Sequence, residues 1–81
     1  MKVRYVGESF GADGLTDGQV YEVLGYEEDI GALRVVDDSG EDYLYSPLHP
    51  RPIAAPDHPG GRWEIVEDSP DGVLAKAIIT V

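Results

Sequence analysis

The sequence predicts an all-β protein: one small, partly open barrel of five to six short antiparallel strands with a proline-rich loop. Three observations carry this. Short runs rich in Val, Tyr and Leu recur at 19–26, 33–36 and 43–45, and such residues suit a pleated, half-buried surface. Between the last two runs lies Asp37-Asp38-Ser39-Gly40-Glu41, a strong hairpin signal. Residues 46–59 hold five prolines, which exclude regular helix and central strand.

Taken in order, Lys2 to Val6 alternates, with Val3 and Tyr5 on one face, and reads as the first strand. Residues 7–18 carry Gly7, Gly11, Gly14 and Gly18 among polar residues and form a long connecting loop. They lack the Gly-Lys-Ser/Thr ending and the following helix of a phosphate loop. Gln19 to Tyr26 is the second strand, with Tyr21 and Val23 facing in and Glu22 out. Val20 and Leu24 fall on its other face, at a dimer contact or under the tail. Glu27 to Gly31 is an acidic turn.

The 37–41 turn decides a register. A three-residue loop, Asp38 to Gly40, sets Val35 opposite Tyr43 and Leu33 opposite Tyr45, all on one face. A two-residue loop, Ser39-Gly40, sets Val35 opposite Leu44 and leaves both tyrosines on the other face as an aromatic patch. The first fits better, because Gly40 stands third, where a left-handed residue closes the turn.

Ser46 to Pro59 reads as a stiff loop crossing one end of the barrel, with Leu48 and Ile53 tucked under it. Its Pro47-x-x-Pro50 spacing beside Arg51 is also that of a polyproline segment that docks into an aromatic groove. Gly60-Gly61 leads into a strand, Arg62 to Glu67, with Trp63 and Ile65 on one face. The tail leaves two readings open. Ser69 as cap with Pro70 at the first position suits a short helix to Ala77. The β-branched end, Ile78-Ile79-Thr80-Val81, suits a strand, and strand is preferred for 74–80, pairing onto Trp63–Glu67 or a second copy.

Two stretches carry a resemblance. Leu15-Thr16-Asp17-Gly18-Gln19-Val20-Tyr21-Glu22-Val23 and Val35-Val36-Asp37-Asp38-Ser39-Gly40-Glu41-Asp42-Tyr43-Leu44-Tyr45 are similar to a family of small SH3-like β-barrel proteins of bacteria and their phages, mostly of unknown function. Val3 to Phe10 resembles the start of that family and Arg62 to Asp68 its closing strand. The resemblance implies a compact SH3-like barrel and supplies no catalytic residues. The chain departs from it at 47–59 and from Pro70 onward. The expected organisation is a single domain over 1–81, with a core of 2–46 and 62–68, a proline-rich loop at 47–61 and an extension at 69–81.

Composition bounds the function. Sixteen acidic against six basic side chains give a net charge of −10. That disfavours direct nucleic-acid binding and anionic membranes, and favours basic partners. An alternative is an acidic nucleic-acid mimic that inhibits a DNA- or RNA-handling protein. No cysteine is present, so disulfide and thiolate chemistry are absent. No apolar leader or membrane-length run is visible, and cytoplasm is the default.

The acidic turns lack the spacing of a calcium loop. His49, His58 and Asp57 could hold a divalent metal only if their loop folded back, and no metal or cofactor is expected. Ser46, His49 and Asp57 can be assembled on paper as a triad, as in any short acidic chain, and no catalytic residue is assigned.

The expectation is a non-catalytic protein-interaction module. Its surface would be the 7–18 loop, the 27–31 turn and the proline-rich segment, with Tyr26, Tyr45, Pro47, Pro50 and Arg51 as partner-binding candidates. Tyr5, Tyr43 and Trp63 are further possible anchors, while core packing is the expectation for Tyr21, Tyr43 and Trp63. A homodimer through a C-terminal strand is a third reading.

Overall fold

In the computed structural model, described over residues 1–11, 14–52 and 57–78, five antiparallel strands form one sheet in the order β4-β3-β2-β1-β5. The strands are β1 (Lys2–Gly7), β2 (Val20–Glu27), β3 (Ala32–Val36), β4 (Asp42–Tyr45) and β5 (Gly61–Glu67), followed by one short helix, α1 (Val73–Ala77). This is the small, all-β, partly open barrel that the sequence predicts. No helix among the described residues is long and apolar enough to cross a membrane.

Strand β2 is shared by the two halves of the sheet. Its first part pairs with β1, Tyr21 opposite Val3, and its second with β3, Val23 opposite Val35. The register shifts between Val23 and Gly25, so Leu24 is bulged. A bulge bends a strand and adds twist, which curls a five-stranded sheet toward a barrel. It also resets the alternation: Tyr26 lies opposite the buried Leu33 and packs against the core. Val20 and Leu24 are 42% and 55% exposed, so neither lies under the tail.

Inward alternation supplies the core. Val3 and Tyr5 of β1, Tyr21 and Val23 of β2, Leu33 and Val35 of β3 and Trp63 of β5 are buried, joined by Leu15 from the long loop and Leu74 from α1. Each large side chain so buried contributes about 1.5–3 kcal/mol.

The β3–β4 hairpin takes the three-residue register: Val35 faces Tyr43 and Leu33 faces Tyr45. Gly40 stands at φ +83° and closes the turn. Sharing a face with Val35 does not bury Tyr43, which is 50% exposed. The core role expected for Tyr43 is therefore corrected. Strand β4 is at the sheet edge, with β3 as its single neighbouring strand among the described residues.

The tail is the second correction. Residues 73–77 form a helix, not a strand, and Leu74 is fully buried in the chain's own core. The Asp68 carboxylate accepts the backbone N–H groups of Leu74 (2.8 Å) and Ala75 (3.0 Å), and Ser69 Oγ accepts that of Val73 (3.1 Å). These bonds satisfy donors that a helix start leaves unpaired. The strand-mediated dimer loses its strand over 73–77, and residues 79–81 lie outside the described residues. Leu48, expected beneath the proline-rich loop, is 54% exposed, and Ile53 lies outside the described residues.

Partial desolvation raises the Asp68 pKa, but the backbone bonds from Leu74, Ala75 and Ser69 outweigh it and hold the carboxyl below its ordinary 3.8. A carboxyl with a depressed folded pKa stabilises fully above that ordinary value and loses the effect as pH falls below it. Asp68→Ala is expected to lower the thermal midpoint and to abolish amide-exchange protection at Leu74 and Ala75 near neutral pH. The wild-type protein should lose the same protection on acidification through that range.

Candidate functional site

The candidate face is built around the β3–β4 turn. Asp37 is 6% exposed, yet its carboxylate is fully partnered. Oδ1 accepts the Ser39 N–H (3.0 Å) and hydroxyl, and Oδ2 accepts the Tyr45 hydroxyl at 2.6 Å. A buried carboxylate is tolerated only with such bonds. Asp38 ties the hairpin to the long loop. Its Oδ1 accepts the Tyr21 hydroxyl (2.9 Å), its Oδ2 the Thr16 hydroxyl (2.7 Å), and its N–H donates to Gly14 O (3.0 Å). The Tyr21 hydroxyl in turn accepts the Thr16 N–H at 2.6 Å.

Aromatic packing joins this face to the barrel. Tyr5, Phe10, Tyr45 and Trp63 form a closed cycle of ring contacts, with centroids 5.5–6.2 Å apart and steeply inclined planes. Edge-to-face pairs at this spacing add to the burial energy. The Trp63 indole N–H donates to Ser46 O at 2.9 Å. His58 packs edge-on against Phe10 at 5.1 Å. Its Nδ1 accepts the Gly60 N–H, while Nε2 stands 3.1 Å from Ser9 O and 3.3 Å from Glu8 Oε2.

The described parts of the proline-rich segment, 47–52 and 57–61, are tied together by a backbone bond. Ser46 Oγ accepts the N–H groups of Leu48 and His49, and Pro50 O accepts the Gly61 N–H. Gly60 stands at φ +65° against Pro50 and Arg51, where a Cβ would collide with the Pro50 carbonyl. Both conditions require glycine. Pro47 and Pro50 are buried, so that proline face turns inward.

What remains open is a groove beside β4. Its walls are Tyr43 and Tyr45, Phe10 and Gly14 of the long loop, the hairpin acids Glu41 and Asp42, and Arg51-Pro52. The structure thus brings Tyr45 and Arg51, two of the residues singled out from sequence, to one place. Tyr26 does not line the groove. The β3–β4 hairpin occupies the position expected of the 27–31 turn. Tyr43, a further possible anchor by sequence, also lines the groove, whereas Phe10 and Glu41 are not singled out from sequence. Tyr5, a possible anchor by sequence, is fully buried.

Charge along the groove is uneven. Arg34 bridges Glu27 (3.3 Å) and Asp42 (2.7 Å), and its hydrogen bond holds Asp42 below the usual carboxylate range. Glu41 accepts the Tyr43 hydroxyl at 3.2 Å and pairs with no cation among the described residues. No group of three metal-ligating side chains occurs among the described residues. Comparison with protein-family models, curated proteins and solved structures gives no match to the chain.

Burial, reinforced by Asp37, holds the Tyr45 phenol far above its ordinary value. Burial, with Asp17 and Glu8, pushes Tyr5 up to about 12. A group with a raised folded pKa stabilises fully below its unfolded value and loses the effect as pH rises through the folded one. Unfolding free energy is therefore expected to fall from about pH 10 upward, checked by denaturant titration with tyrosinate absorbance. Tyr45→Phe strands Asp37 Oδ2 in a buried site and should cost about 1–3 kcal/mol. Tyr45→Ala also removes the ring and should cost about 3–5 kcal/mol.

Proposed function

We propose that this chain is a non-catalytic protein-interaction module that binds a protein segment in the groove beside β4. It belongs, on this reading, with the small SH3-like barrels of bacteria and phages that its sequence resembles, and works in the cytoplasm. The supporting observation is the exposed Tyr43 beside the half-buried Tyr45 in an open groove. Tyrosine gives a large contact area at low entropic cost and is enriched at binding hot spots. Tyr45 and Phe10 are held in place by the core, so the aromatic part of the groove is preformed. Preformed sites lose less ordering entropy on binding.

The acidity has a structural component in the same region. Asp37 and Asp38 accept hydrogen bonds within the fold, from Tyr45, Tyr21, Thr16 and Ser39. That gives these two acids a reason to be present other than imitation of a phosphate backbone.

The test is a paired capture experiment from lysate with the wild-type protein and Tyr43→Ala. The exposed position of Tyr43 makes the variant's thermal midpoint close to wild type, within about 1 kcal/mol of stability. A protein retained at moderate salt by the wild type and lost with Tyr43→Ala is the expected result. Equal retention by both would place any binding elsewhere on the surface.

A further inference from the structure

We infer that the occupant of the groove is an extended basic segment, with an arginine or lysine over Tyr43 and Glu41 and an apolar side chain over Phe10, Tyr45 and Pro52. This rests on the module reading above and adds the chemistry of the partner.

Charge complementarity carries it. The hairpin end of the groove gathers the carboxylates of Asp37, Glu41 and Asp42 against one guanidinium, Arg34. Arg34 is already engaged by Glu27 and Asp42, at 3.3 and 2.7 Å. Asp37 and Asp38 are engaged by hydroxyl and backbone donors. Among the described residues Glu41 has no cationic partner; its carboxylate accepts the Tyr43 hydroxyl at 3.2 Å, and the Tyr43 ring is half exposed beside it. A cation placed there meets a carboxylate and an aromatic face together, two attractions that reinforce each other.

The far end of the groove differs. Phe10, Tyr45 and Pro52 offer apolar surface, and Arg51 is exposed with no carboxylate partner among the described residues. A second cation at that end would be repelled. The groove therefore discriminates along its length: cation at the hairpin, apolar side chain at the middle, neutral or acidic group at Arg51. Successive side chains of an extended chain alternate in direction, so residues two apart can reach the same groove wall.

The experiment is an amide-resonance titration of the full chain with three synthetic peptides. The first sets one arginine and one valine two positions apart with serine between and beside them, the second has glutamate for the arginine, and the third has glutamine. The arginine peptide should shift the Gly40–Tyr45 amides, weaken with added salt, and bind about tenfold less tightly to Glu41→Gln and to Tyr43→Ala. Glu41 and Tyr43 are exposed, so both variants should keep the wild-type amide spectrum away from the hairpin. If the glutamate or glutamine peptide shifts the same amides as strongly, the basic-partner inference fails while the groove remains a binding site. If no peptide shifts them while the paired capture still loses its partner with Tyr43→Ala, the inference fails and the module reading stands. If the capture fails too, both fall.

Discussion

The structure depends on how its two sheet edges are joined. Strands β4 and β5 lie at opposite ends of the sheet, and no backbone ladder connects them among the described residues. The join is made by side chains. Trp63 of β5 packs edge-on against Tyr45 of β4 at 6.0 Å, and its indole N–H donates to Ser46 O just past β4. An indole satisfies both demands of a closing residue, because it buries a large apolar body and directs one donor to a carbonyl. Tyr5 and Phe10 complete the ring cycle, so the closure also fixes the long loop.

The groove follows from that closure. Tyr45 is held from one side by Trp63 and Phe10, and from the other by the bond to Asp37. Asp37 and Asp38 thereby serve two purposes. As turn residues they shape the hairpin, and as acceptors they pin one tyrosine each, from β4 and β2. The cost of burying the Asp37 carboxylate is offset only while its donors stay in place. Turn, loop and groove are therefore one coupled unit, in which Glu41 and Tyr43 are carried outward on a fixed base.

Much of this fold is legible in the residues. Val3 and Tyr5, Tyr21 and Val23, and Leu33 and Val35 alternate as half-buried strands must, and each pair is buried. Gly40 in third place selects the hairpin register. The tail is misread because β-branched residues at its end weigh toward strand, whereas the deciding bonds come from Asp68, six residues before Leu74. Tyr43 is misread because sharing a face with Val35 says nothing about whether a neighbouring strand covers it. The bulge at Leu24 leaves no clear mark in composition, yet it turns Tyr26 toward the core. Of the site, Tyr45 and Arg51 are legible as polar-tipped or charged residues near a proline-rich segment. The part played by Phe10 and Glu41 is not, since it arises from contacts between segments far apart in sequence.

The most direct measurement on the closure is hydrogen exchange of the Trp63 indole N–H against the β1–β2 backbone amides. If the Trp63–Ser46 bond and the ring cycle hold the two edges together, the indole proton exchanges only through global unfolding, with the same opening free energy as the slowest core amides. An indole proton that exchanges far faster, while the β1–β2 ladder stays protected, would show that the barrel edges part without unfolding and would contradict the account.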